Sequence, residues 1–166
     1  VGAVGSARRV DIHDTGVPNE AAELIVVPNL VHHVADQTTL FKEMVRIVKP
    51  GGRAYVFEPL VRELHQIPDD FIRYTTYGLA ETFRNVGLDP QEPRMAGGPF
   101  SVIAYCWAQA LEYLPDDDRE KMSKWFYEKE FKRLMTLDSQ HPDNRVRDLT
   151  CFPMSFSLEG VKKRTI

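Results

Sequence analysis

A chain of 166 residues is about one domain long, and with 43% hydrophobic and 27% charged residues it can bury a core and keep a solvated surface. The formal charge is −3 and no block of lysine or arginine is long enough to follow a phosphate backbone, which argues against nucleic acid as a partner. No apolar run approaches the roughly 18 residues needed to span a membrane, and the first residues lack a signal-peptide pattern, so no membrane partner and a cytoplasmic location are expected.

Taken from the front, VGAVGS is glycine-rich and ARRVDIHD, residues 7–14, reads as a short strand ending in polar residues. TGVPNEAA is a turn-rich connector, and ELIVVPNLVHHV, residues 23–34, is a continuous apolar strand closed by Pro28 and Asn29. Asp36 is placed to cap a helix whose apolar positions Leu40, Phe41, Met44, Val45 and Val48 follow the 3.6-residue period. Lys49-Pro50-Gly51-Gly52 cannot continue that helix, since proline lacks the amide hydrogen and glycine populates turn conformations. Ala54 to Phe57 is then apolar on both faces, as in a strand covered by helices, and stops at Glu58-Pro59. The stretch LVRELHQIPDDFIRY has neither period and reads as a long loop or short irregular helix, after which Thr76 caps a helix through Val86 that Gly87 ends. GGPFSVIAYCWAQALEYLP predicts a helix apolar nearly all round. DDDREKMSKWFYEKEFKRLMTLD predicts another, with its acids first and its bases later, as the helix dipole favours. A last strand from about Phe152 to Val161 returns to the sheet, with KKRT as a solvated end. Cys106 and Cys151 are too few and too far apart for a disulfide framework or a zinc site, and are expected as buried or half-buried thiols.

Strands alternating with helices predict a mostly parallel, three-layer α/β domain. The ordered set of a strand, P-N-L-V-H-H-V, an Asp-capped helix, K-P-G-G, a strand and E-P resembles the back half of the class I S-adenosylmethionine-dependent methyltransferases of the generic small-molecule type. The resemblance covers about residues 8 to 97, and the last strand more loosely. It implies a Rossmann-like sheet, incomplete on its N-terminal side, in one domain: residues 1–97 and 150–166 form the sheet core and 98–140 a helical insertion or lid. It further implies S-adenosylmethionine as cofactor and a small molecule as substrate.

Position by position, the resemblance assigns Asp11 to the acid that accepts from the adenine amino group, Ile12 to the residue whose amide faces the ring, and Asn29 to the strand end beside the methionine part of the cofactor. Asp11 and Asn29 also suit turns on local grounds, so both readings stand. In an open α/β sheet ligands bind beyond the carboxyl ends of the strands, where Asp11, Asn29 and Glu58 are expected. Candidates for substrate contact are His33, Glu58, Arg62, His65, Arg73, Tyr74 and Tyr77, on or near the irregular loop. No catalytic residue is assigned, because methyl transfer rests mainly on positioning and needs a base only for a protonated nucleophile. His32 and His33 have no companion ligand at metal-binding spacing in the sequence, so no metal site is expected.

One defining part of the family is missing: a first strand ending in a glycine-rich loop, followed by an acid on a second strand. VGAVGS has glycines but neither a strand before it nor a helix after it. A truncated front half is the simpler account. It leaves ELIVV with an unpaired apolar edge, to be covered by residues 1–10 or by a second copy in a homodimer. Light scattering that finds only monomer at high concentration removes the dimer. Two functional readings follow: a methyltransferase, or a catalytically silent methyltransferase-like binding or assembly module.

Overall fold

The computed structural model describes residues 9–140, 145–146 and 150–164. The residues of VGAVGS lie outside that range. The elements in chain order are β1 (Ala22–Pro28), a short 3-10 turn (Val31–His33), α1 (Gln37–Ile47), β2 (Val48–Pro59), α2 (Thr76–Asn85), β3 (Leu88–Pro90) and β4 (Arg94–Ala96). Then come α3 (Pro99–Leu111), α4 (Asp116–Trp125), a π turn (Phe126–Glu130), α5 (Phe131–Ser139), the two-residue strands β5 (Arg145–Val146) and β6 (Thr150–Cys151), and β7 (Ser155–Lys162).

The main sheet runs β1, β2, β7, β3, with β4 also paired to β7. β1 and β2 are parallel, with Val26 opposite Tyr55 and Val27 opposite Val56, and β7 is antiparallel to its neighbours. This is a Rossmann-like open α/β sheet, the class the sequence predicts. Side chains alternate across it. Val27, Ala54, Val56, Phe156 and Leu158 face one side, where Leu40, Phe41 and Met44 of α1 and Leu79 and Phe83 of α2 cover them in a single core. On the opposite face Leu24 and Val26 are each 55% exposed. The outer edge of β1 has no strand partner among the described residues.

Local chemistry explains the elements. The Asp36 carboxylate accepts from the Thr39 amide at 3.0 Å and from its hydroxyl at 2.6 Å, satisfying donors at the start of α1. Leu40, Phe41, Met44 and Ile47 then fall on its buried face. The K-P-G-G segment bulges inside β2: the register jumps from Ala22 opposite Val48 to Leu24 opposite Arg53, and Gly51 adopts φ +81°. A β-carbon on Gly52 would lie 2.9 Å from the Lys49 carbonyl and 3.0 Å from that of Glu23, so no larger residue fits that close approach.

Three local expectations differ from the structure. ARRVDIHD is no strand where it is described: Asp11 to Asp14 close a tight turn, because the Asp11 carboxylate binds its own backbone two residues on. The cap of α2 is Thr75, which accepts from the Gly78 amide at 3.1 Å, one residue before the expected cap, Thr76. Lys162 does not belong to a solvated tail. Its ammonium group donates to the carbonyls of Val45 at 3.0 Å and Val48 at 2.8 Å, closing the end of α1 from the last strand.

The connector before β1 is tied down by Glu43 of α1, which accepts from the Thr15 amide at 2.9 Å and hydroxyl at 2.7 Å and from the Arg46 guanidinium at 2.6 Å and 2.7 Å. The bonds from Arg46, against the cost of burial and with help from Thr15, hold the Glu43 carboxyl down at about 2. A depressed folded-state value stabilises the protein above the unfolded-state value and loses that stability on acidification. Denaturant melts are therefore expected to show stability falling as the pH drops from about 4.5 towards 2, with a shallower fall in Glu43→Gln. An identical acid slope in the variant overturns this assignment.

The segment between β4 and β7 forms a helical lobe. Asp138 of α5 caps α3 from outside, accepting from the amides of Gly98 at 2.9 Å, Phe100 at 3.0 Å and Ser101 at 2.6 Å, and from the Ser101 hydroxyl. Burial pushes its carboxyl up, but these bonds outweigh burial and hold it below the usual range. Trp107 of α3 packs 5.7 Å from Trp125 and 5.9 Å from Phe126, ring centre to ring centre. Phe126 is buried, whereas Trp125 is 49% and Ile103 51% exposed, so the apolar girdle of α3 is covered on one side only. Cys106 is exposed on α3 rather than buried, while the side chain of Cys151 lies outside the described residues.

Candidate functional site

The carboxyl ends of the parallel pair β1 and β2 meet at one point. β1 ends at Pro28, and Asn29 turns the chain with φ +50°, a left-handed conformation that asparagine tolerates better than most residues. The Asn29 amide still donates to Phe57 of β2 at 2.8 Å, so the turn begins in register with the sheet. The chain then makes one turn of 3-10 helix through Val31, His32 and His33.

The orphan amides at the start of that turn are met by Glu58, at the end of β2. One carboxylate oxygen accepts from Leu30 at 3.1 Å and Val31 at 2.9 Å, and the other from the His32 amide at 3.3 Å. That second oxygen also lies 2.5 Å from His32 Nδ1. Glu58 and His32 are 1% and 2% exposed. Such a carboxylate is a buried, fully engaged acceptor, and it lies beneath the cleft. Burial pushes His32 down from its ordinary value, against the raising effect of Glu58, and His33 and Arg73 add to the fall.

Above this pair is a cleft of about 200 Å³ lined by Asn29, His32, His33, Pro59, Arg62, His65 and Gln66. Its far wall is the loop after β2, which a second ion pair makes rigid: Arg73 donates to both oxygens of Asp70, at 2.5 and 2.8 Å, and to the Glu63 carbonyl at 3.1 Å. The bonds from Arg73, then the cost of burial, then the bond from the His65 amide, net to a carboxyl held well below the usual range at Asp70. His65 is fixed in turn by donating its amide to Asp70 at 3.0 Å.

Of the residues singled out from sequence, Asn29, His33, Arg62 and His65 meet at this cleft, with Glu58 under it and Arg73 spent on its wall. Tyr74 turns inward, donating to Gln37 and meeting Phe41 edge-on at 6.4 Å, and Tyr77 is 86% exposed on α2. Asp11 and Ile12 do not line the cleft. The Asp11 side chain is 70% exposed and takes the His13 amide at 2.9 Å and ring at 3.1 Å, which lowers its pKa, while Ile12 packs against the core. Sequence reasoning overlooked His32 as a site residue and Gln66 altogether. The fold also brings His65 to His32 and His33 from 32 residues further along the chain. Sequence spacing could not show that, because the intervening loop has no period.

A sheet with this strand order, two parallel strands followed by an antiparallel last strand, and a cleft at the carboxyl ends defines a Rossmann-like fold of the methyltransferase type. Residues 3–56 match the family model described as a methyltransferase domain. The complex of the Haloferax volcanii Trm112 methyltransferase activator with a methyltransferase contains a chain that superposes with TM-score 0.56 at 19% identity, over 93% of this chain and 60% of that one. A SAM-dependent methyltransferase from Archaeoglobus fulgidus gives 0.53 at 11% identity, over 93% and 66%. The [4+2]-cyclase SpnF gives 0.54 at 16%, over 94% and 55%. No curated protein matches the sequence. Residues 3–56 thus resemble a methyltransferase domain, and the chain as a whole shares the Rossmann-like fold of S-adenosylmethionine-dependent methyltransferases. It spans 55–66% of the length of the structures just named. No described helix is long and apolar enough to cross a membrane.

Proposed function

We propose that this chain forms part of an S-adenosylmethionine-dependent methyltransferase acting on a small molecule. The observation that carries the reading is the meeting of Asn29, Glu58 and the histidines at the shared carboxyl ends of β1 and β2, the place where open α/β sheets take their ligands. Asn29 then stands beside the methionine part of the cofactor, and His33, Arg62, His65 and Gln66 face the acceptor. Arg73 is a positioning residue, acting through Asp70 on the wall. The cofactor, when bound, supplies an activated methyl group. The chain's own residues hold and desolvate the partner groups.

The described residues fit only part of that cofactor. A cleft of about 200 Å³ is below the roughly 300–1,000 Å³ of sites that enclose a small molecule, and Asp11, the adenine candidate, is engaged in its own turn. In this reading the rest of the pocket comes from outside the described residues. In the same reading, additional protein or a second copy of this chain would cover the exposed Leu24 and Val26 face and the edge of β1 that has no strand partner among the described residues. The same incompleteness favours the second reading, a silent methyltransferase-like module, and SpnF illustrates that this fold hosts more than one named activity.

Calorimetric titration with S-adenosylhomocysteine separates the two. The methyltransferase reading expects binding that is weakened in Asn29→Ala and unchanged in Tyr77→Phe. No heat at millimolar ligand supports the silent module instead.

A further inference from the structure

Three imidazoles, on elements far apart in sequence, place one ring nitrogen each within 4.8 Å of the others: His32 and His33 on the 3-10 turn and His65 on the loop after β2. Their rings pack at centroid distances of 4.0, 4.7 and 5.2 Å. What each ring's other nitrogen does is the informative part. His32 Nδ1 faces the Glu58 carboxylate at 2.5 Å, His33 Nδ1 the Asp69 carbonyl at 2.5 Å, and His65 Nδ1 the Glu63 carbonyl at 3.1 Å. All three partners are oxygens that only accept. Each Nδ1 must therefore carry a hydrogen, which in the neutral ring leaves a lone pair on each Nε2. His32 Nε2 and His65 Nε2 then face one another at 3.4 Å. Two lone pairs so placed repel unless a cation lies between them.

The separation suits a metal ion. Two nitrogens each about 2.0–2.1 Å from a tetrahedral zinc ion lie about 3.4 Å apart. The outer contacts suit it as well, since histidine ligands nearly always give their other ring N–H to a carboxylate or a backbone carbonyl, which fixes the tautomer and aims the ligand nitrogen. Here one carboxylate and two carbonyls do this for all three rings. We infer that His32, His33 and His65 form a site for a divalent transition-metal ion of the zinc or cobalt class, bound through their Nε2 atoms. Three protein ligands leave the fourth position for water or a substrate oxygen or nitrogen, in the cleft that Asn29 and Gln66 also line. The site goes beyond the methyltransferase reading and does not depend on it.

The test uses the tag-free chain, stripped with chelator and dialysed, in the absence of any nucleoside. Titration with Zn²⁺ is expected to give one equivalent bound per chain, and Co²⁺ is expected to give the intense visible bands of four-coordinate cobalt. His65→Ala and His33→Ala should each weaken Zn²⁺ by more than the roughly 10–100-fold that loss of an outer contact costs. His13→Ala, on the turn outside the cleft, should leave it unchanged. Circular dichroism of each variant confirms that it is folded, and the more exposed His33 and His65 are chosen because loss of His32 would leave the Glu58 carboxylate unpaired. Failure to bind Zn²⁺ at one equivalent overturns the site, as does binding that is unchanged in both folded variants. In either case a proton shared by His32 and His65 is the cation that explains their separation. A chain that binds Zn²⁺ but not S-adenosylhomocysteine keeps this inference and loses the methyltransferase one.

Discussion

Replacing Glu58 with alanine is expected to destabilise the protein by about 3–5 kcal/mol, the cost of removing one partner from a buried, charged hydrogen-bond set. The carboxylate is 1% exposed and serves the amides of Leu30, Val31 and His32 together with His32 Nδ1. Truncation leaves those donors facing a cavity of about carboxyl size. Domains of this size are stable by roughly 5–15 kcal/mol, so the variant is expected to sit near the edge of folding at 37 °C. Glu58→Gln keeps one acceptor oxygen and should fall between the two. Urea unfolding measures all three, and a loss under about 1 kcal/mol in Glu58→Ala would mean that the 3-10 turn is satisfied by other means. A role for Glu58 in substrate contact alone predicts reduced activity at unchanged stability.

The second large effect lies on the other side of the core, where α2 meets β7. A β-carbon added to Gly160 would stand 2.5 Å from Phe83 Cδ2, 2.8 Å from its Cε2 and 3.0 Å from Leu88 Cβ. The Phe83 ring therefore occupies the space above the glycine backbone, fully buried and edge-on to Phe41 at 5.8 Å. Phe83→Ala is expected to cost about 3–5 kcal/mol through the cavity it leaves. Gly160→Ala should cost about 1–3 kcal/mol through overpacking. Because the two residues share one volume, their effects should not add: in a Phe83→Ala background, which removes both clashing ring atoms, Gly160→Ala should cost much less than in the wild type. Additive losses in the double variant would show that the strand and helix shift apart instead.

Much of this architecture was legible from local chemistry. The Asp36 cap and the apolar period Leu40, Phe41, Met44 predict α1, because a side-chain acceptor and a 3.6-residue repeat both act within a few residues. Apolar runs bounded by Asn29 and by K-P-G-G predict two strands for the same reason. Short polar segments were less legible. ARRVDIHD has a composition compatible with a strand, and only the competition between the Asp11 carboxylate and a strand partner decides for a turn. Half of the candidate site was readable as well, since Asn29 and Glu58 fall at strand ends. The aperiodic loop was not: nothing in its spacing places His65 on His32, aims Arg73 at Asp70, or turns Tyr74 inward to Gln37.

By itself the sequence determined the alternation of helix and strand and the edge of the sheet at which a ligand could bind. Periodicity, capping and turn chemistry act over distances of a few residues and need no partner to be present. The tertiary structure alone decided that Glu58 turns inward to close the turn after β1, that Lys162 ends α1, and that three histidines share one point. Those outcomes depend on burial, where a polar group must find whichever partner the packed chain brings within about 3 Å, however far away it lies in sequence.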